Sequence, residues 1–295
     1  MAFDKKYNPC EKQRINLSAQ ATNVTASDMI AFGNSKPNNF LNRVIKNFKD
    51  DADASISIAL DREKERLSKV LHSTEAEAIQ LLLAEKEKEL IFKSSDYEKH
   101  NSILITLSKE IRTFLSNKDC EEDKYYNNNI GRYIKAIIEE YASKTFAERE
   151  LIYFADRVTM IRNSIENRSK LTVIYSDEKH YTIQPYRIVR DSMNMYNYII
   201  GFSAEASGKE KKPVSVRISG NFELRQKKNA NSAISDADKR ILDDCIKNRG
   251  VQFLLGEETE IVVSLTEEGR RRFTSNLYLR PDCVDIRNNK DYVFM

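Results

Sequence analysis

The runs Leu171–Tyr175 (LTVIY), Tyr181–Val189 (YTIQPYRIV), Met195–Phe202 (MYNYIIGF) and Pro213–Arg225 (PVSVRISGNFELR) decide how this chain is to be read. Each has the length of a strand and is bounded by polar turn residues. Four or five short strands in succession predict a small barrel or sandwich.

Period-2 alternation along Met195–Phe202 puts Tyr196, Tyr198 and Ile200 on one face and Asn197, Ile199 and Gly201 on the other. A tyrosine pair on one face is either core or a stacking platform. Arg217 lies between Val216 and Ile218 in an otherwise apolar run, and a charge held that close to a core needs a partner. That partner is either a carboxylate such as Asp191 or Glu223, or an anionic ligand.

Several residues of this region follow a known order. Asn197-Tyr198-Ile199 stands where a Trp-Tyr-Leu triplet is expected, Gly201 follows it, Tyr175 ends the first strand, Pro185 lies in the second and Arg217 in the last. The stretch resembles the WYL domain, a small Sm-like or SH3-like β-barrel of bacterial regulators and CRISPR accessory proteins. The tryptophan is missing, since the chain contains none.

The formal net charge is only +3, so bulk attraction to an anionic polymer is no argument. Locally, residues 1–50 hold 8 Lys/Arg against 4 Asp/Glu and residues 171–250 hold 14 against 10, whereas residues 51–170 hold 20 against 23. In the barrel segment Arg187, Arg190, Arg217, Arg225, Lys227 and Lys228, with Lys209, Lys211 and Lys212 in a loop, are interleaved with Tyr186, Tyr196 and Tyr198. Basic side chains follow a phosphate backbone and aromatic rings stack unpaired bases. Arg187, Arg190, Tyr196, Tyr198, Arg217, Arg225, Lys227 and Lys228 are therefore the candidate nucleic-acid-binding residues. For any single lysine the alternative is a solvated surface.

At the N-terminus, Gln13–Ser18 alternates, with Ile15 and Leu17 on one face and Arg14, Asn16 and Ser18 on the other. A helix over Thr25–Phe32, with Thr25 as N-cap, a turn through Gly33-Asn34-Ser35-Lys36-Pro37 and a second helix from Asn38 or Asn39 to Phe48 follow. Strand, helix, turn and helix resemble the ribbon-helix-helix fold. That resemblance implies a homodimer in which two chains pair their strands, with Arg14, Asn16 and Ser18 facing outward toward DNA or serving dimerisation alone.

Helical spacing predicts further helices over Ser57–Leu71, Thr74–Lys93, Asp96–Leu115, Ile130–Ser143 and Phe146–Arg168, with Ser73-Thr74 and Glu77 as a capping box. After the barrel, Ser235 starts a helix that ends at Arg249-Gly250. A strand over Glu260–Leu265, a short helix over Thr266–Asn276 and a last strand ending at Met295 follow. The expected class is α+β, in four parts. Residues 1–52 form the ribbon-helix-helix-like module, 53–168 a helical linker and packing region, 169–230 the WYL domain, and 231–295 a C-terminal α/β extension. The apolar last strand marks that extension as cut short or covered by a partner.

Catalytic, metal and membrane signals are missing from the sequence. Cys10, Cys120, Cys245 and Cys283 lack metal-ligand spacing, and His72, His100 and His180 lie on different elements. No phosphate-binding glycine loop, nucleophile elbow or zinc-protease helix occurs, and no stretch is apolar enough to span a bilayer. The expectation is a cytoplasmic protein that is not an enzyme and needs no cofactor or metal. The resemblance implies either a single-stranded-RNA-binding accessory protein that stimulates a type VI-D CRISPR RNA-guided ribonuclease, or a ligand-responsive transcription regulator that binds DNA through its N-terminal module. A scaffold that binds neither is the third class.

Overall fold

The computed structural model describes residues 11–70, 76–93, 100–117, 130–176, 179–191, 195–203, 211–227, 233–254, 260–275, 283 and 285–294. The chain divides into two compact units, 1–160 with 218–221, and 161–217 with 222–295.

The first unit opens with β1 (Lys12–Ser18), α1 (Ala19–Ala31) and α2 (Pro37–Val70), followed by α3 (Ala76–Lys93). It continues with β2 (His100–Thr106), α4 (Lys109–Asn117), α5 (Ile130–Ser143) and α6 (Phe146–Tyr153); α7 (Ala155–Glu166) spans the boundary. The strand predicted at the N-terminus is present, but its partner comes from the same chain. β1 and β2 form a two-stranded antiparallel sheet running from Lys12↔Thr106 to Ser18↔His100. The argument for a dimer from an unpaired strand therefore falls away.

Residues 100–106 were expected within a helix over Asp96–Leu115. Alternation decides otherwise: Ile105 and Leu107 are buried while Leu104 is 54% exposed, which is the period of a strand and not of a helix. The segment read as a helical spacer thus supplies half of the sheet. α2 also runs unbroken where two helices were expected, and the run Phe146–Arg168 breaks at Phe154 into α6 and α7. Phe154 is buried there against Phe32 and Tyr153, ring centroids 5.5 Å and 4.9 Å away.

α1 begins at Ala19 and not at Thr25. Ser18 caps it, its Oγ accepting from the Ala21 N–H at 3.1 Å, while Thr25 is buried inside the helix and donates to the Ala21 carbonyl. The turn at Gly33 (φ 69°) falls where the sequence placed it, with the Asn34 N–H closing on the Met29 carbonyl. Beneath the sheet, Phe40, Leu41, Val44, Ile45 and Phe48 of α2 and Tyr133, Ile134, Ile137, Ile138 and Tyr141 of α5 are buried, and the two helices pack on each other. One buried charge cluster crosses this core. Arg149 donates from Nε to Asp28 Oδ2 at 2.6 Å and from Nη2 to Oδ1 at 3.0 Å, and Tyr141 Oη donates to Oδ2 at 2.8 Å. The Ser73-Thr74 capping box lies outside the described residues.

The second unit contains β3 (Lys170–Tyr175), β4 (His180–Arg190), β5 (Asn197–Ser203), β6 (Pro213–Arg217) and β7 (Phe222–Lys227). They are followed by α8 (Asp236–Arg249), a 3₁₀ turn (Val251–Phe253), β8 (Ile261–Ser264), α9 (Glu267–Ser275), β9 (Asp285–Arg287) and β10 (Asp291–Phe294). β3 to β7 make one antiparallel sheet in the order β6-β5-β4-β3-β7. β6 and β7 are its edges and do not pair with each other, so the expected barrel is an open five-stranded sheet in its hydrogen bonding.

The register slips between Pro185 and Arg187, leaving Tyr186 as the extra residue of a bulge. Pro185 faces Gly201, and a Cβ on Gly201 would lie 2.0 Å from the Gln184 carbonyl oxygen. Glycine is required there by close backbone approach. Tyr198, Ile200 and Phe202 of β5 pack on Leu242 of α8 and on Val251 and Leu254. α8 starts at its Ser235 cap and stops at Gly250 (φ 80°) as expected. A smaller sheet, β8-β10-β9, carries α9, whose Phe273 contacts Tyr292 at 5.1 Å. No described helix is long and apolar enough to cross a membrane.

Candidate nucleic-acid interface

The β4–β5 hairpin and the end of β6 bring four of the candidate residues, Arg190, Tyr196, Tyr198 and Arg217, to one end of the large sheet. Ladder pairing sets Arg190 opposite Asn197 and Tyr198 opposite Arg217. The hairpin is closed by the Asp191 N–H donating to the Tyr196 carbonyl at 2.8 Å. Met195, between them, adopts φ 64°, which a residue with a Cβ rarely adopts. Its thioether accepts from Arg190 Nη2 at 2.8 Å.

Arg217 is exposed, and its guanidinium lies over the Tyr196 ring with Cζ 4.6 Å from the centroid. Neither carboxylate proposed for it takes that role. Glu223 is engaged by Arg225, which donates from Nε at 2.7 Å and from Nη2 at 3.0 Å. Asp191 is 3% exposed, and among the described residues no ion pair joins it to Arg217. A cation held over a ring and left exposed keeps N–H donors for an anion.

The other candidates separate. Tyr198 shares the Tyr196 face by alternation but is only 9% exposed and belongs to the core under α8. Its ring packs in the core, whereas Tyr196 packs against the edge of the same cluster, is only partly buried and carries Arg217 over its ring. Arg190 is exposed and points to the opposite face from Arg217, because Arg190 pairs with Asn197. Arg187 is exposed but approaches Asp243 of α8 at 2.7 Å, and Tyr186 Oη donates to the other oxygen of Asp243 at 3.3 Å. Asp243 thus offsets one of the predicted cations, a pairing across 55 intervening positions that no local pattern signals.

Arg225 and Lys227 lie on β7, across the sheet from β6, with Lys227 opposite Lys170 and Arg225 opposite Thr172. The Arg225–Glu223 contact raises the arginine's pKa and lowers the carboxylate's through their hydrogen bond and charge. Lys228 and Lys209 fall outside the described residues. The structure therefore divides the predicted set into Arg217 with Tyr196, Arg190 beside them on the other face, and a separate β7 group.

On the N-terminal sheet, Arg14 and Asn16 are exposed on the outward face, where Arg14 meets Leu104 and Asn16 meets Ser102. Ser18 is not part of that surface. Its N–H donates to Glu139 Oε1 at 2.6 Å and its Oγ to Oε2 at 2.7 Å, so it ties β1 to α5.

No family model and no curated protein matches the chain. Among solved structures, the crystal structure of a CRISPR Cas-related protein superposes with a TM-score of 0.72 at 24% identity, covering 100% of this chain and 86% of that one. The two share a fold. Proteasome accessory factor B/C of Arthrobacter aurescens aligns at a TM-score of 0.26 and 12% identity over 67% of this chain and 33% of its own, too low to carry an argument.

Proposed function

We propose that this protein is a non-enzymatic accessory factor that binds single-stranded RNA and stimulates a CRISPR RNA-guided ribonuclease of type VI-D. The observation that carries the RNA contact is Arg217 resting on Tyr196 at 4.6 Å with no carboxylate partner among the described residues. The order β6-β5-β4-β3-β7, in which the last strand returns to pair with the first, supports a WYL-type small-barrel domain. The strand-helix-helix order of β1, α1 and α2 supports a ribbon-helix-helix-like module. The fold shared with a CRISPR Cas-related protein supports the cellular setting.

The test is a titration of the full chain against single-stranded RNA, single-stranded DNA and duplex DNA at two salt concentrations, with a purified type VI-D effector cleavage assay alongside. Single-stranded RNA is expected to bind most tightly, and adding this protein is expected to raise the effector's cleavage rate. Replacing Arg217 by Ala should flatten the salt dependence by roughly 0.7, the slope of one phosphate contact on a single strand. Preference for duplex DNA, lost in Arg14→Ala, would move the function to a transcription regulator.

A further inference from the structure

The first unit contains an internal repeat. With an offset of 90, Ile15-x-Leu17-Ser18-x-x-Ala21-x-x-x-Thr25 corresponds to Ile105-x-Leu107-Ser108-x-x-Ile111-x-x-x-Leu115. All positions named except the two serines are buried. Both serines stand before the first turn of a helix, Ser18 Oγ accepting from the Ala21 N–H at 3.1 Å and Ser108 Oγ from the Ile111 N–H at 3.4 Å. With an offset of 93, Phe40-Leu41-x-x-Val44-Ile45-x-x-Phe48 corresponds to Tyr133-Ile134-x-x-Ile137-Ile138-x-x-Tyr141, all ten buried. The offset grows because the longer connection between α4 and α5 more than makes up for α4 being shorter than α1.

The two halves also contact one another as symmetric partners do. The ladder pairs Arg14 with Leu104, positions that are themselves equivalent at the offset of 90, so an approximate two-fold axis passes through that pair. Lys12↔Thr106 and Asn16↔Ser102 are then exchanged by the axis. The second helices of the two halves, α2 and α5, pack against each other beneath the sheet. Each half also binds the strand end of the other. Glu139 of α5 accepts from the Ser18 N–H, and Asn42 of α2 accepts from the Ser108 N–H at 2.7 Å while donating to the Thr106 carbonyl at 2.8 Å.

We infer that the first unit is a two-copy strand-helix-helix assembly fused into one chain, in which β2, α4 and α5 occupy the place of a second copy's β1, α1 and α2. This rests on the ribbon-helix-helix reading of the module. The ribbon is completed without another chain, and the duplicated half has changed its outward side chains. Lys12, Arg14 and Asn16 of β1 correspond to Ser102, Leu104 and Thr106 of β2. In a two-chain ribbon Arg14 would face Arg14 at the axis, with like charges opposed. Here it faces Leu104. The outward surface carries its charge on one strand only, so a partner meets it without two-fold symmetry.

The test introduces Arg14→Cys and Leu104→Cys, singly and together, into the full chain with its four native cysteines replaced by serine. Directly opposed ladder residues lie within disulfide reach, roughly 4.5 to 5.5 Å between Cα atoms. After oxidation the double variant is expected to form an intrachain disulfide, running as a monomer on a non-reducing gel, while Arg14→Cys alone gives no covalent dimer. A covalent dimer from Arg14→Cys alone, or a double variant linked only between chains, overturns the inference. In the unaltered chain, amide-exchange protection over Lys12–Ser18 should not change on dilution, and its loss on dilution also overturns it. These measurements read strand pairing and involve no nucleic acid, so their failure is distinct from failure of RNA binding.

Discussion

Tyr198 and Arg217 face each other across the β5–β6 ladder, yet one side chain is core and the other is surface. The strand end explains the contrast. Tyr198 is covered by Leu242 and the 251–254 turn, while Arg217, on the edge strand, swings over Tyr196. Replacing Tyr198 by Ala should cost about 3 to 5 kcal/mol of stability, the range for truncating a buried ring. Arg217→Ala should change the urea midpoint by an amount equivalent to at most about 1 kcal/mol, as an exposed cation–π contact allows. Their order reverses in RNA binding, where Arg217→Ala and Tyr196→Ala should weaken affinity, the latter by about 1 to 3 kcal/mol for one stacked base. Equal loss of stability in Arg217→Ala would show that the arginine is structural.

Gly201 is fixed by its neighbour across the sheet. Pro185 and the bulge at Tyr186 bring the Gln184 carbonyl to 2.0 Å from where a Cβ would stand. Backbone cannot yield as a flexible side chain can, so Gly201→Ala should be among the most damaging small substitutions, costing about 3 kcal/mol or more in a urea melt. An unchanged midpoint would mean that the bulge relaxes.

Much of the large sheet was legible in the sequence because its strands are short, alternating and punctuated, and α8 because Ser235 and Gly250 bracket it. β2 was not legible by periodicity. Ile103, Leu104, Ile105, Leu107, Ile111 and Leu115 satisfy a helical spacing as well as an alternating one. The signal that separates the two is the repeat of Ile-x-Leu-Ser at positions 15 and 105, which only a comparison of distant segments exposes. At the candidate site the residue types were legible, but their pairing was not. Glu223 turns to Arg225 because positions two apart on β7 share a face, and Asp243 reaches Arg187 through tertiary packing.

Asp243 gives a gain-of-function expectation. It lies 2.7 Å from Arg187, both side chains nearly half exposed, so the pair adds little stability, roughly 0 to 1 kcal/mol. Asp243→Asn should leave the melting midpoint nearly unchanged while steepening the salt dependence of RNA binding by roughly 0.7, the slope of one further phosphate contact. An unaltered slope would place Arg187 outside the RNA path.

Tyr141 offers a pH-dependent test of the core that joins the two halves of the first unit. Burial raises its pKa far above the ordinary phenol value, and the charge of Asp28 and the hydrogen bond to it raise it further. Arg149 is lowered by burial but raised on balance by its bonds to Asp28. A group whose folded pKa exceeds its unfolded value stabilises the fold fully below the unfolded pKa and loses that contribution as pH rises through the interval. For a tyrosine the loss begins near pH ~10, where the unfolded chain ionises first. Tyr141→Phe should therefore cost roughly 1 to 3 kcal/mol near neutral pH, where the hydrogen bond to a buried carboxylate is lost. The gap to the wild type should narrow between pH ~10 and ~12. Asp28→Asn should cost about 3 to 5 kcal/mol at neutral pH, because Arg149 is left in the core without its counter-charge. Urea melts at pH 8 and pH 11 decide it, and a difference between wild type and Tyr141→Phe that stays constant with pH would show that the phenol does not titrate from a buried, carboxylate-facing position.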